Sequence, residues 1–262
     1  MATLPPTSEA IAAAREALAR ADPALARAHA QTPAFDWRLR ASGFEGLFRM
    51  IVEQQVSVAS AASVWARLVV GLGGITPEHL LAHDLDQLRG MGLSRQKATY
   101  GQGMARAQIE GTIDLERLAT LDDAEAIVAL VALKGVGLWT AEAYLLMCEG
   151  RLDVFPGGDV ALQEAIRWID GIAVRPDQAG AYARAEAWRP YRGVATMLLW
   201  GWYTGVKKGE IVLDTLPPPA ETAIRPAKIK VKTKVKAKPK PKPQPKPKPK
   251  SRLKTRAASL TS

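Results

Sequence analysis

The stretch from Leu133 to Asp159 constrains this chain most, because glycines cut it into elements with fixed ends. It opens Leu133-Lys134-Gly135-Val136-Gly137-Leu138-Trp139-Thr140-Ala141 and continues as an apolar segment to Cys148. It closes Asp153-Val154-Phe155-Pro156-Gly157-Gly158-Asp159. Upstream, Asp122 and Glu125 have capping-box spacing, and Ile127, Leu130, Val131 and, less regularly, Leu133 follow at helical intervals. Gly135 and Gly137 end that helix, since glycine accepts left-handed backbone and close neighbours. A second helix then begins at Leu138. Its first backbone N–H groups have no partners within it, so its mouth suits a phosphate. The Pro156-Gly157-Gly158 turn hands the chain to a further helix from about Val160, with Asp159 at its start.

The rest of the chain reads as helix as well. Helices are expected over 8–21, with Ser8 as N-cap, from Pro23, over 44–52, 57–72, from Thr76-Pro77-Glu78, and over 94–109. Residues 31–43 read as a connector. Further helices fall near 160–169, 176–187 and 191–204. The segment Leu88-Arg89-Gly90-Met91-Gly92-Leu93 echoes Leu133–Leu138 and reads first as a helix–turn–helix corner, second as another backbone contact to a phosphodiester. No segment alternates with the period of a strand. The fold class is therefore all-α, an orthogonal array of helices rather than a long bundle.

Charge divides the chain unevenly. The net charge is +10, but residues 221–262 carry 15 Lys/Arg and one acidic residue. That is +14 in the tail and −4 in everything before it. Lys-Pro alternation from Lys238 to Lys250 removes backbone donors and sets like charges together, so this part is expected to be an extended, disordered tail. The expected boundaries are a helical domain over 1–216 and a basic tail over 217–262. One cysteine, Cys148, excludes an intrachain disulfide and a cluster held by four cysteines of this chain. The start of the chain lacks a basic segment followed by an apolar run, and no window has the roughly 18 apolar residues of a membrane span. A cytoplasmic protein, nucleoid-associated if bacterial, with no membrane partner is expected.

The Gly135-Val136-Gly137-Leu138-Trp139-Thr140-Ala141 hairpin, the helix after it and the Gly/Pro turn ending in Asp159 resemble the helix-hairpin-helix (HhH-GPD) DNA glycosylases. Order and spacing are most similar to the DNA-3-methyladenine glycosylase II branch. Phe44-Glu45-Gly46-Leu47 through Gln54-Gln55-Val56-Ser57 resembles the same branch, as does Trp188-Arg189-Pro190-Tyr191-Arg192 through Trp202-Tyr203-Thr204.

The resemblance implies two helical lobes with a cleft, and a base-excision enzyme that flips a damaged nucleotide from duplex DNA and hydrolyses its N-glycosidic bond. Asp159 would be the catalytic carboxylate, with Asp153 as its nearest rival. Trp139 stands where bifunctional relatives have a Schiff-base lysine, which implies a hydrolase without AP lyase activity. Trp139 and Trp202 would line a pocket for alkylated purines. Ala143 replaces a pocket tyrosine, and Tyr144 lies about 100° further round the helix. Gln54 and Gln55 would enter the minor groove. Gly135, Val136, Gly137 and Thr140 would hold a phosphate. An alkali cation on the carbonyls of Val131, Leu133 and Val136 is the one bound group implied; no other metal, cofactor or iron–sulfur cluster is expected. The partner would be damaged double-stranded DNA, bound by a monomer. A glycosylase for an oxidised or deaminated base, or a silent DNA-binding module of the same fold, are the alternatives.

The tail reads as a DNA-attracting element because the helical part is net acidic; a solubilising appendage is the other reading. Deleting residues 219–262 should weaken non-specific DNA binding and lower its salt slope by several units. Single-turnover excision at saturating enzyme should survive, and its loss would place the tail in the active site.

Overall fold

The computed structural model describes residues 5–213, so the expected tail and the 216/217 boundary lie outside the described residues. Twelve α-helices account for most of them. They are α1 Ser8–Ala21, α2 Pro23–Gln31, α3 Gly43–Glu53, α4 Val58–Leu72, α5 Pro77–Leu81, α6 Leu85–Gly90, α7 Arg95–Ile109, α8 Asp123–Val131, α9 Leu138–Glu149, α10 Val160–Asp170, α11 Gln178–Ala185 and α12 Arg192–Lys208. Among the described residues there is no strand, and no helix is long and apolar enough to cross a membrane. The all-α reading holds.

Local chemistry sets most helix ends. Asp122 and Glu125 form both bonds of the capping box that opens α8. Ser57, Thr76 and Ser94 each accept an amide at the start of α4, α5 and α7. Thr7, not Ser8, caps α1. The Leu88–Leu93 echo is the corner between α6 and α7, with Met91 and Gly92 in the turn.

Two apolar cores form. One gathers α3 to α9 around Phe48, Leu68, Leu88 and Leu130. The other gathers α1, α2 and α10 to α12 around Leu25, Leu162, Trp188 and Leu198. Helix α9 feeds both: Ala141, Tyr144, Leu145 and Cys148 face the first core, and Leu146 the second. Cys148 is buried, and burial pushes its thiol up to about 12. A helix apolar on all sides has to be covered on all sides. The connector over 32–42 covers one of them, with the Trp37 indole donating to the Leu146 carbonyl and the Arg40 amide to that of Met147.

Glu142 interrupts this apolar surface. It is 4% exposed. Tyr182 of α11 donates to Oε1 at 2.5 Å, while Oε2 has no partner. Burial pushes the carboxyl up to about 7; the Tyr182 bond and the charge of Arg192 oppose that shift.

The folded chain therefore holds this proton more tightly than the unfolded chain does. The stabilisation is fully present below the ordinary value of 4.5 and is lost as pH rises through about 7. Glu142→Gln removes the titration. Urea unfolding of both proteins should show wild-type stability falling by about 2–3 kcal/mol relative to the variant between about pH 5 and pH 8. A difference independent of pH would mean that Glu142 is not held neutral.

Candidate active site

Asp159 sits at the N-cap of α10, with φ −74° and ψ 119°. The turn before it is tight: the Gly157 amide donates to Phe155 and the Asp159 amide to Pro156, both at 2.9 Å. Gly157 is required by packing inside the protein. A Cβ there would lie 2.9 Å from the Tyr182 ring. The Gln163 side chain donates to the Gly157 carbonyl at 2.8 Å. The Gly157 surface is thus taken by Tyr182 rather than left open for a sugar-phosphate backbone, as the glycines alone suggest.

The Asp159 carboxylate accepts three bonds. Oδ1 takes the Leu162 amide at 2.8 Å and the Trp200 indole at 3.1 Å. Oδ2 takes the Trp139 indole at 3.1 Å. A carboxylate has about four acceptor sites, two on each oxygen. Oδ1 is full, and Oδ2 keeps one. Asp153 is committed elsewhere, to ion pairs with Arg189 at 2.8 Å and Arg192 at 3.0 Å.

The expected pocket residues are distributed differently. Trp139 is at the carboxylate, 38% exposed. Trp202 is not. It is buried in the second core, and its indole donates to Gln31 Oε1 at 2.8 Å. Trp200 takes the place expected of Trp202. Two residues along a helix turn the side chain through about 200°, and Trp202 lies on the buried stripe with Ala195, Leu198 and Leu199. That stripe is the sequence signal that separates the two tryptophans. Trp202 instead borders a separate cavity of about 200 Å³ with Gln31 and Trp168. Tyr144 does not reach the carboxylate: it is fully buried, and its hydroxyl accepts the Gly43 amide at 2.8 Å. Beside Trp200, on the side of the connector, lies an apolar cavity of about 420 Å³ bounded by Phe35, Met197 and Trp200, with Asp36 and Glu210 also in its wall.

The hairpin keeps part of its expected role open. Gly135 is left-handed, with φ +97°, and a Cβ on it would strike the Tyr100 ring at 2.3 Å. Gly137 is the N-cap of α9, and no side chain caps that helix. The amides at this exposed mouth remain available to an anion. Val136 differs from expectation. Its side chain is buried, and its amide is spent on the Leu133 carbonyl at 3.0 Å. Thr140 is buried too, and its hydroxyl accepts Gln54 Nε2 at 3.2 Å. The same Gln54 amide donates to the Gly135 carbonyl at 3.1 Å. Gln54 therefore ties the α3–α4 turn to the hairpin and does not point outward; Gln55 is the exposed residue of that turn. Of the carbonyls considered for a cation, that of Leu133 accepts one amide, and those of Val131 and Val136 accept none from outside a helix. The three retain lone pairs for such an ion.

The family model described as HhH-GPD superfamily base excision DNA repair protein matches residues 48–190. A putative DNA-3-methyladenine glycosylase of Bacillus subtilis is 29% identical over 180 residues, covering 66% of this chain and 62% of that protein. DNA-3-methyladenine glycosylase 2 of Escherichia coli is 30% identical over 173 residues, covering 61% of this chain and 58% of that one. The chain thus spans about three fifths of the length of these two relatives. A crystal structure of a Bacillus halodurans DNA-3-methyladenine glycosidase superposes with a TM-score of 0.67 at 28% identity, over 74% of this chain and 91% of that one. The Schizosaccharomyces pombe 3-methyladenine DNA glycosylase in complex with abasic DNA gives 0.64 at 26% identity, over 74% and 96%. With more than half its length matched, the chain belongs to the HhH-GPD superfamily of base excision DNA repair proteins.

Proposed function

We propose that this protein is a monofunctional DNA glycosylase that hydrolyses the N-glycosidic bond of alkylated purines of the 3-methyladenine type. It would act as a monomer on damaged duplex DNA. The observation that carries the reading is the one acceptor site left on Asp159 Oδ2; the Trp200 that bonds the other oxygen also lines the apolar cavity, and the Trp139 that bonds Oδ2 stands in the uncapped first turn of α9.

The target nucleotide leaves the duplex so that its sugar reaches the carboxylate. The exposed amides of Gly137 and Leu138 hold a flanking phosphate. As the glycosidic bond lengthens, positive charge builds on the sugar, and a fixed negative group opposite it lowers the barrier. A unit charge about 4 Å away contributes roughly 4 kcal/mol at an effective dielectric of about 20, or about a thousandfold in rate. The two indole N–H bonds and the cap amide fix the carboxylate without protonating it, so little reorganisation is needed during the reaction. Water adds to the anomeric carbon, its proton goes to the carboxylate or to solvent, and the base leaves with the bonding electrons. Trp139 supplies no amine for a Schiff base, so the product is an abasic site in an intact strand. An alkali cation on the carbonyls of Val131, Leu133 and Val136 would add fixed positive charge behind the phosphate.

Alkylated purines are cationic, and the cavity suits a cation. The Trp200 ring attracts positive charge, and Asp36 and Glu210 add negative potential; the Phe35 ring already carries the Arg15 guanidinium on one face, 5.1 Å from its centroid. A volume of about 420 Å³ lies within the usual range of small-ligand sites.

Asp159→Asn should keep DNA binding and lower single-turnover release of abasic sites from methylated duplex by about a thousandfold. Retained excision would remove Asp159 from the mechanism, and no excision by the wild type would leave a silent DNA-binding module. Trp200→Phe deletes one bond to the carboxylate and should slow excision about ten- to hundredfold with little change in melting temperature. Trp202→Phe should show the reverse, a lower melting temperature with near-normal excision by the folded protein. Equal effects of the two substitutions would contradict the assignment of Trp200.

A further inference from the structure

Gln55 is the only non-glycine residue with positive φ among the described residues, at φ 54°. It is exposed, in the turn between α3 and α4. A side chain in the left-handed region is unfavourable and persists where its surroundings over-determine it. What over-determines it is the residue before it. Gln54 is held at both ends: its side-chain amide by the Gly135 carbonyl and Thr140 hydroxyl of the hairpin, and its backbone carbonyl by Lys97 Nζ at 2.6 Å. Lys97 also takes the Val52 carbonyl at 2.8 Å. These are among the last carbonyls of α3, which have no partners inside the helix, and an ammonium is the donor best matched to them. Lys97 is half-buried on the first turn of α7, where Ser94 accepts its backbone amide. A cation at a helix N-terminus is unfavourably placed with respect to its own helix dipole. Its position is explained by α3, not by α7.

We infer that Lys97 is a positioning residue for nucleotide flipping: together with Gln54 it locks the α3–α4 turn in the shape that projects Gln55, and joins that turn to the phosphate-binding hairpin. The inference rests on the proposed function and takes Gln55 to be the residue that enters the minor groove and fills the gap left by the extruded nucleotide. A side chain that must force a base out of a stacked duplex works only if its base is rigid. When the target is already unpaired and unstacked, flipping costs little, and rigidity at Gln55 ceases to matter. Lys97 touches neither Asp159 nor its indole partners, so bond cleavage itself does not depend on it.

The test compares single-turnover excision of one methylated purine in two duplexes, one fully paired and one with the lesion in a bulge. Lys97→Met keeps the aliphatic stem and removes the donors. It should slow excision from the paired duplex by about tenfold or more and from the bulge by less than about twofold. Lys97→Gln, which can satisfy one of the two carbonyls, should fall between wild type and Lys97→Met, and it decides the matter if the methionine variant does not fold. Fluorescence of 2-aminopurine next to the lesion should report slower unstacking in the same rank order. Equal losses on both duplexes would overturn the inference, as a general loss of structure. So would a loss that vanishes at low salt with a salt slope about one unit smaller, which marks a phosphate contact. An unchanged rate on the paired duplex would overturn it as well. Wild-type protein that excises from neither duplex would refute the proposed function itself, and this inference with it.

Discussion

Helix α9 has to be buried on every side, and the rest of the structure follows from that. Its residues from Thr140 to Glu149 are almost all out of solvent. In a soluble protein such a helix needs neighbours all round. Two cores supply them, one on each flank. Only its first turn escapes, with Leu138 and Trp139 each 38% exposed. The uncapped amides and the indole that reaches Asp159 are therefore at the one end of the helix that solvent, or DNA, can approach. Polar groups within the buried part find partners one by one, Thr140 in Gln54 and Glu149 in Arg151, while Glu142 has Tyr182 on one oxygen and nothing on the other.

Capping and catalysis make compatible demands on Asp159. A cap carboxylate must accept an amide of the first turn, which fixes one oxygen. That same bond directs the second oxygen away from the helix, here toward Trp139 and solvent. Trp200, packed from α12, adds a donor to the oxygen already used for capping and leaves the other less crowded. The three bonds come from α9, α10 and α12, so the carboxylate is placed by the joint packing of both cores and not by its loop.

What the sequence made legible was local. Caps, glycine stops and the apolar character of α9 depend on residues within a few positions of one another, and the expected helix bounds came out within a residue or two except at α12, which runs to Lys208, four residues past its expected end. The position of Asp159 at the start of α10 was legible because a Pro-Gly-Gly turn before a helix announces its own geometry; its catalytic role was implied by the resemblance alone. Long-range partners were not. Nothing near Gly157 in the sequence says that Tyr182 lies against it, and nothing near Thr140 says that its hydroxyl serves Gln54 and not a phosphate. Trp200 and Trp202 form an intermediate case. Periodicity along α12 assigns Trp202 to the buried stripe with Leu198 and Leu199, yet only the placement of α10 shows that Trp200 has Asp159 to meet. Tyr144 was drawn toward the site by its closeness to Ala143 in sequence, while the helix turns it into the first core, onto the Gly43 amide.

The hairpin and the α3–α4 turn are mechanically one piece, although about 80 residues separate them. Each depends on a backbone that is strained or crowded in isolation. Gly135 is left-handed and has Tyr100 where a side chain would be, and Gln55 is left-handed without being glycine. Gln54 bridges the two, so neither can relax without breaking bonds to the other. Tyr100 and Lys97 stand three residues apart on α7, on neighbouring positions of one helix face, one packed against the hairpin and the other bonded to the turn. Helix α7 is thus the common support of the hairpin and of the α3–α4 turn. Under the proposed function, grip on the DNA backbone and pressure on the base stack would act through one rigid body, so that the push on the nucleotide is borne by the same element that holds the strand.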